Sequence, residues 1–254
     1  GSVPREEYDC VPCAGDFSVN SEEELVALSY CKSVAGSLIF EYSEITRLSI
    51  GEGELCLNSI AQDLILSENP NLESLEGLGN LKSIGGSLEI RANPLLEGID
   101  GLGSLESVGG PLSIQRNPVL QKVEGFDSLL SAGSTLLFDD NETLKEIRGF
   151  DALRSIGGDL VVRGHQALER VSGFGALEEI SGDLQISVNS GLVSLEGFEK
   201  LLLVEGNINI LNNSDLRQCT LMPKLAELKG SFSLVENGAL EEVSEFGALG
   251  TIGG

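Results

Sequence analysis

A repeat of fixed length constrains this chain more than any other feature of it. From Gly86 the sequence runs Gly86-Ser87-Leu88-Glu89-Ile90-Arg91-Ala92-Asn93-Pro94, passes through Leu96, Ile99, Gly101, Leu102, Leu105 and Val108-Gly109, and starts again at Gly110. The equivalent positions Gly86, Gly110, Ser134, Gly158, Gly182, Gly206, Gly230 and Gly254 each lie 24 residues apart (110 − 86, 134 − 110, and so on), with no insertion. A unit this short cannot bury its apolar sides alone, whereas stacked units can, so the period implies a tandem array.

Within each unit the apolar residues fall into columns. Leu64, Leu88, Leu112, Leu136, Leu160, Leu184, Ile208 and Phe232 form one, and two residues on stand Leu66, Ile90, Ile114, Phe138, Val162, Ile186, Ile210 and Leu234. Alternation at period two marks a strand with one buried face. Two further apolar pairs, such as Leu96/Ile99 and Leu105/Val108, give every unit three inward-facing sides. The expected fold is all-β: a right-handed parallel β-helix or solenoid of 24-residue coils, right-handed because parallel crossovers are. About nine coils stacked at the spacing of neighbouring strands make a rod roughly 40 Å long.

Asn69, Asn93, Asn117, Asn141, Asn189, Asn213 and Asn237 recur three residues after the second strand column, where the chain must turn. An inward Asn there can donate its amide to carbonyls of an adjacent coil and accept from a backbone N–H. Pro70, Pro94 and Pro118 stiffen the first of these corners. The Gly-Gly pairs and the Gly-Leu and Gly-Phe pairs (Gly77-Leu78, Gly101-Leu102, Gly125-Phe126 and their successors) read as the other corners, needing φ > 0 or close approach.

Residues 1–9 read as a leader, with Gly1-Ser2 an expression scar, and 10–254 as one domain: a cap and first coil over 10–61, then regular repeats over 62–254. Ser21-Glu22-Glu23-Glu24 is a capping box ahead of Leu25 and Leu28, so a short amphipathic helix is expected to cover the first coil. At the other end the pattern stops at Thr251-Ile252-Gly253-Gly254 and leaves a coil without a lid, suited to further chain or to end-to-end or homo-oligomer contact. Cys10, Cys13, Cys31 and Cys56 cluster around the cap, and four cysteines allow three connectivities. We favour Cys13–Cys31 bracketing the helix and Cys10–Cys56 tying the leader to the second coil. The competing readings are a redox motif at Cys10-Val-Pro-Cys13, which lacks a βαβ context, and a zinc site, which lacks two paired CxxC knuckles. Cys219 falls in the inward column of Leu75, Ile99 and Leu195 and is expected as a buried free thiol.

With 16 basic and 40 acidic residues the net charge is −24. Such a surface repels phosphate backbones, and with no Trp there are few stacking platforms, so a nucleic-acid partner is disfavoured. No apolar run is long enough to span a bilayer.

The order Cys, short helix, Cys, then Ser33-Val34-Ala35-Gly36-Ser37-Leu38-Ile39-Phe40, followed by coils of the form G-x-L-x-I-x-x-N-P-x-L-x-x-L-x-G-L-x-x-L-x-x-I-G-G, resembles the receptor L-domain family. Those are the leucine-rich β-helix domains of the insulin and epidermal growth factor receptors. The N-terminal section is similar also to GPI-anchored fungal cell-wall proteins, and bacterial and protist surface proteins carry like repeats. The resemblance covers the chain from about Cys10 onward, although the regular coils here outnumber those of receptor domains. It implies an extracellular or cell-surface module, non-catalytic, with ligands on its broad sheet.

Candidate sites follow from the outward columns. On the main strand the apolar pair Leu137 and Val161 is rimmed by Arg91, Arg116 and Arg163, with Gln115 and Asp139 alongside, and forms the candidate ligand patch. His165 replaces Asn in the corner column and is read as a structural substitute, since a lone His lacks the cluster a metal site needs. Glu76, Asp100 and Glu124 share a column, as do Asp159 and Asp183, so like charges should stack and splay into solvent. Ca²⁺ would relieve them, but no Ca-binding repeat motif is present, and no metal or cofactor is expected. Of two sequons, Asn141-Glu142-Thr143 should be inaccessible, while Asn212 faces out and can carry glycan in a eukaryotic host.

Three other classes compete with a recognition or adhesion module for an extracellular protein or glycan. A structural cell-wall or surface-layer protein shares its features. A polysaccharide-active β-helix enzyme would need converging acids and bases, and here carboxylates are dispersed and His is single. An ice-binding solenoid would need flat ranks of outward Thr, and the outward strand columns show Thr135 alone.

Overall fold

The computed structural model describes residues 10–50, 53, 55–220, 222–243 and 247–253. The proposed leader at 1–9 and the last repeat marker, Gly254, lie outside them. The chain winds as a β-solenoid whose three sides are parallel sheets. A ten-stranded sheet is built mainly of four-residue strands, among them Leu88–Arg91, Leu112–Gln115, Leu136–Asp139, Leu160–Arg163, Leu184–Ser187, Ile208–Leu211 and Phe232–Val235. An eleven-stranded sheet runs from Val11–Cys13 to Thr251–Ile252, and a six-stranded sheet from Lys122–Val123 to Glu242–Val243.

Register is the direct product of the repeat: Leu88 faces Leu112, Leu112 faces Leu136, and Leu136 faces Leu160. Because side chains alternate across a strand, holding this register keeps every Leu and Ile of both strand columns inside. They belong to one hydrophobic cluster reaching from Val19 to Leu228, continuous through residues 61 and 62, so the cap and the repeats share a core. Phe126, Phe150, Phe174 and Phe198 stack within it, with centroids 5.0, 5.1 and 5.5 Å apart.

One more turn exists than the repeat count suggests. Val11–Cys13 and Phe17–Ser18 already pair with Cys31–Val34 and Leu38–Glu41, forming a turn ahead of the cap helix. The helix, Glu22–Leu28, follows that turn in the place where later coils form their third side, and buries Leu25 and Leu28. Half of its capping box is made as expected, Glu24 N–H donating to Ser21 Oγ at 3.4 Å, while Glu24 Oε2 reaches one residue further back and accepts from the Asn20 backbone N–H at 2.6 Å. Disulfides join Cys13 to Cys31 and Cys10 to Cys56, while Cys219 is a buried free thiol. In the last coil burial falls: Leu234, Leu240 and Leu249 are half-buried, and Val243 and Ile252 are exposed.

Of the two roles expected at the glycine corners, the Gly-Gly pairs take the second: they do not hold positive φ but permit close approach, as a Cβ on Gly109 would lie 2.2 Å from the Gly85 carbonyl oxygen. Left-handed backbone falls instead on the residue before each Asn: Glu68, Ala92, Arg116, Asp140, Val188, Asn212 and Glu236, with φ between 56 and 58° or a few degrees lower, at 52–55°. Gly125, Gly149, Gly173 and Gly197 do take positive φ, whereas Gly101 lies in a short 3-10 turn over Asp100–Leu102.

Candidate functional site

The Asn column is a structural spine. Asn93 Nδ2 donates to the Leu66 carbonyl of the preceding coil at 2.9 Å, and Asn93 Oδ1 accepts from the Asn69 backbone N–H at 3.2 Å. Asn117, Asn141, Asn189 and Asn213 repeat both contacts one coil further on, except that the acceptor beyond Asn141 is a histidine. These Asn are fully buried, and Asn237 in the last coil is half-buried. With its amide and its hydrogen bonds committed inside, the column offers nothing to a ligand.

His165 takes the same place. Its Nδ1 accepts from the Asn141 N–H at 3.2 Å, as an Asn Oδ1 would, and its own N–H donates to Asn189 Oδ1 at 3.1 Å. That bond puts the neutral ring's proton on Nε2; Nδ1 also lies 3.3 Å from the Asn141 carbonyl oxygen, which the other tautomer would use. Among the described residues Nε2 is the buried side-chain polar atom without a hydrogen-bond partner. Burial lowers the imidazole pKa, against smaller opposing effects of the Asn141 and Phe138 backbone and of Asp139 and Asp140.

A second ladder escaped the sequence reading. Asp159 Oδ1 accepts the backbone N–H of Asp183 at 2.7 Å, and Asp183 Oδ1 that of Asn207 at 2.6 Å, with Asp63 serving Ser87 in the same way. Asp159 and Asp183 therefore do not splay into solvent; each half-buried carboxylate is held by a backbone donor of the next coil. The glycine before each donor makes room: a Cβ on Gly182 would lie 2.1 Å from Asp159 Oδ1.

Glu76, Asp100 and Glu124 do stack, and the Asp100 carboxyl is raised by partial burial and then by Glu124 and Glu76. Arg148 continues their column and closes an ion pair with Glu124. Asp100, Glu124 and Arg148, together with Asp127, Glu146 and Asp151, line a hollow of about 580 Å³. Among the described residues no group of three His, Cys, Asp or Glu is placed to hold a metal ion. On the eleven-stranded sheet a rank of serines, Ser33, Ser59, Ser83, Ser107 and Ser131, lines a shallow groove of about 510 Å³ beside Gly85 and Gly109. Its signal, a serine before the apolar residue of that sheet in successive coils as far as Ser155, was readable in the sequence; Glu179, Leu203 and Glu227 take the place further on.

On the ten-stranded sheet Leu137 pairs with Val161 and Asp139 with Arg163. Arg163 forks onto Asp139, Nε to Oδ1 at 2.9 Å and Nη2 to Oδ2 at 3.1 Å, and that contact raises the guanidinium pKa. The patch is smaller than expected. Val161 is only 8% exposed, since a short side chain in register with Leu137 and Gln185 is overtopped by both, and Leu137 is half-buried. Nor do the three arginines form one rim. Arg91 lies two strands from Leu137, beyond Ser113 and Gln115, and is paired with Glu68 and Glu89. Arg116 stands at the left-handed corner, 3.9 Å from Asp140. At the N-terminal edge of this face Tyr42 is 70% exposed and hydrogen-bonded to Glu68, which raises the phenol and lowers the carboxyl.

The sequon residues separate as expected, Asn141 fully buried and Asn212 exposed. No helix among the described residues is long and apolar enough to cross a membrane. Comparison with family models, curated proteins and solved structures finds no match to this chain.

Proposed function

We propose that the chain is a non-catalytic recognition module of the cell exterior, akin to the receptor L-domains its repeat resembles, and that it presents the ten-stranded sheet to a protein partner. The observation that carries this reading is the flat, in-register outer row Ser113, Leu137, Val161 and Gln185, flanked by the Asp139–Arg163 fork. A half-buried Leu beside an ordered guanidinium is the kind of apolar anchor with a polar rim that protein interfaces use. Two disulfides around the cap are compatible with an oxidising exterior. A protein is favoured over a glycan because the outer row carries no aromatic ring on which a sugar could stack.

The test is binding of the secreted chain to a panel of extracellular proteins and glycans, repeated with Leu137→Asp. Leu137 is the better position, since Asp at Val161 would put a charge where the native side chain is 8% exposed. A protein ligand whose affinity falls about tenfold or more, with an unchanged melting midpoint, supports the proposal. Binding that survives Leu137→Asp places the site elsewhere, and a glycan ligand refutes the choice of partner.

A further inference from the structure

Towards the C-terminal end of the ten-stranded sheet, beyond the proposed ligand row, three apolar residues stand on neighbouring coils at the surface. Val188 is 58% and Val235 51% exposed, with half-buried Leu211 between them. Leu211 is in register with Val235, and its carbonyl accepts the Val188 N–H at 3.0 Å. Val188 is moreover held at φ 57°, where a β-branched side chain is strained far more than Asn or Asp. The same corner carries Glu, Ala, Arg, Asp, Asn or Glu in the coils at 68, 92, 116, 140, 212 and 236. Val188 is thus exposed and strained where the other coils carry polar residues or, at Ala92, a single methyl, and the apolar cluster around it is suited to a cover.

The residue placed to supply that cover is Asn212. It follows Leu211 in the chain, occupies the Val188 position one coil on, and begins the sequon Asn212-Asn213-Ser214. Its side chain is exposed, whereas Asn141 of the other sequon is fully buried with its amide donated to the Ile114 carbonyl at 3.0 Å. We propose that Asn212 is an N-glycosylation site and that the first sugar of its glycan covers Val188, Leu211 and Val235. The donor is an oligosaccharide linked to a lipid pyrophosphate. Asn212 Nδ2 attacks C1 of its reducing-end sugar, the C1–O bond breaks, the lipid pyrophosphate leaves with the electron pair, and Nδ2 gives up one proton as the C1–N bond forms. Nothing is oxidised or reduced. The less polar face of a pyranose ring, which carries its C–H groups, suits an aliphatic surface of this kind.

The experiment is secretion of the chain from a eukaryotic cell and peptide mapping of the folded product. Glycan on Asn212 and none on Asn141 is expected; a bare Asn212, or an occupied Asn141, overturns the assignment. Ser214→Ala removes the sequon while leaving Asn212 in place, and should lose the whole glycan mass. If the sugar covers the cluster, the Ser214→Ala protein should bind an apolar fluorescent dye several-fold more strongly than the glycosylated one. Adding Val188→Ser and Val235→Ser should abolish the increase. Equal dye binding with and without glycan refutes the covering role even if Asn212 is modified.

Discussion

Replacing His165 by Asn should change how stability depends on pH, and the size of the change follows from the ring's surroundings. His165 is the one histidine of the chain, fully buried, with Nδ1 accepting the Asn141 N–H and Nε2 unpartnered. Protonating Nδ1 would remove the acceptor that holds Asn141 N–H and put a charge in the apolar interior, which is why burial lowers the pKa from its ordinary 6.5. The sign follows. With the native pKa depressed, the unfolded chain binds more protons as pH falls, so the contribution is fully present above 6.5 and is lost progressively towards the ring's own lowered value. Each unit by which burial lowers the ring's pKa is worth about 1.4 kcal/mol at neutral pH, and that stability is given back as pH falls from about 7 towards about 5. The many carboxylates also titrate in acid, but they are common to both proteins and drop out of the difference. Urea unfolding of the native chain and of His165→Asn at half-unit steps across that range should give a stability gap that moves in favour of the variant as pH falls. A gap that stays flat would refute a buried imidazole with a lowered pKa.

Three further outcomes are expected. Asn117→Ala should cost about 3 kcal/mol or more, because it strands the Asn93 N–H and the Ile90 carbonyl inside, whereas Ser113→Ala on the outer face should stay within about 0.5 kcal/mol in the same denaturant titration. Cys219, its thiol pushed by burial up to about 11, should resist alkylation at neutral pH in the native chain and react on unfolding, read by intact mass; rapid native labelling would contradict its burial. Gly182→Ala should destabilise by about 1 to 3 kcal/mol through its clash with Asp159 Oδ1. Asp159→Ala should relieve part of that cost, and a double-mutant cycle with no coupling would dismiss the second ladder.

The parts of this fold that could be read in advance are those the repeat spells out with one residue type. Leu88, Leu112 and Leu136 had to be vertical neighbours because each is useless to the core unless the register holds. The Asn spine was legible because only a side chain with both donor and acceptor serves that corner. The left-handed residue before each Asn was not, since Glu68, Ala92, Arg116 and Val188 share no chemistry that announces a backbone angle. Asp159 looked like a repelled charge because its partner, the Asp183 N–H, comes within reach only once the coils stack. That Leu137 and Val161 are neighbours followed from the period, but their exposure did not. How far Val161 protrudes depends on the lengths of Leu137 and Gln185 beside it, and Arg91 and Arg116 are occupied by carboxylates the outward columns did not pair with them.

Every coil meets the next through the same register, residue 112 over 88 and 136 over 112, and the helical cap sits at one end of the stack. The molecule is thus a ruler graduated in single coils. Gain or loss of one whole unit would carry any surface group beyond it along the axis by one strand spacing, about 4.8 Å, while leaving it on the same side. The distance between two features of such a surface can be tuned by duplication alone, with no new contact to invent.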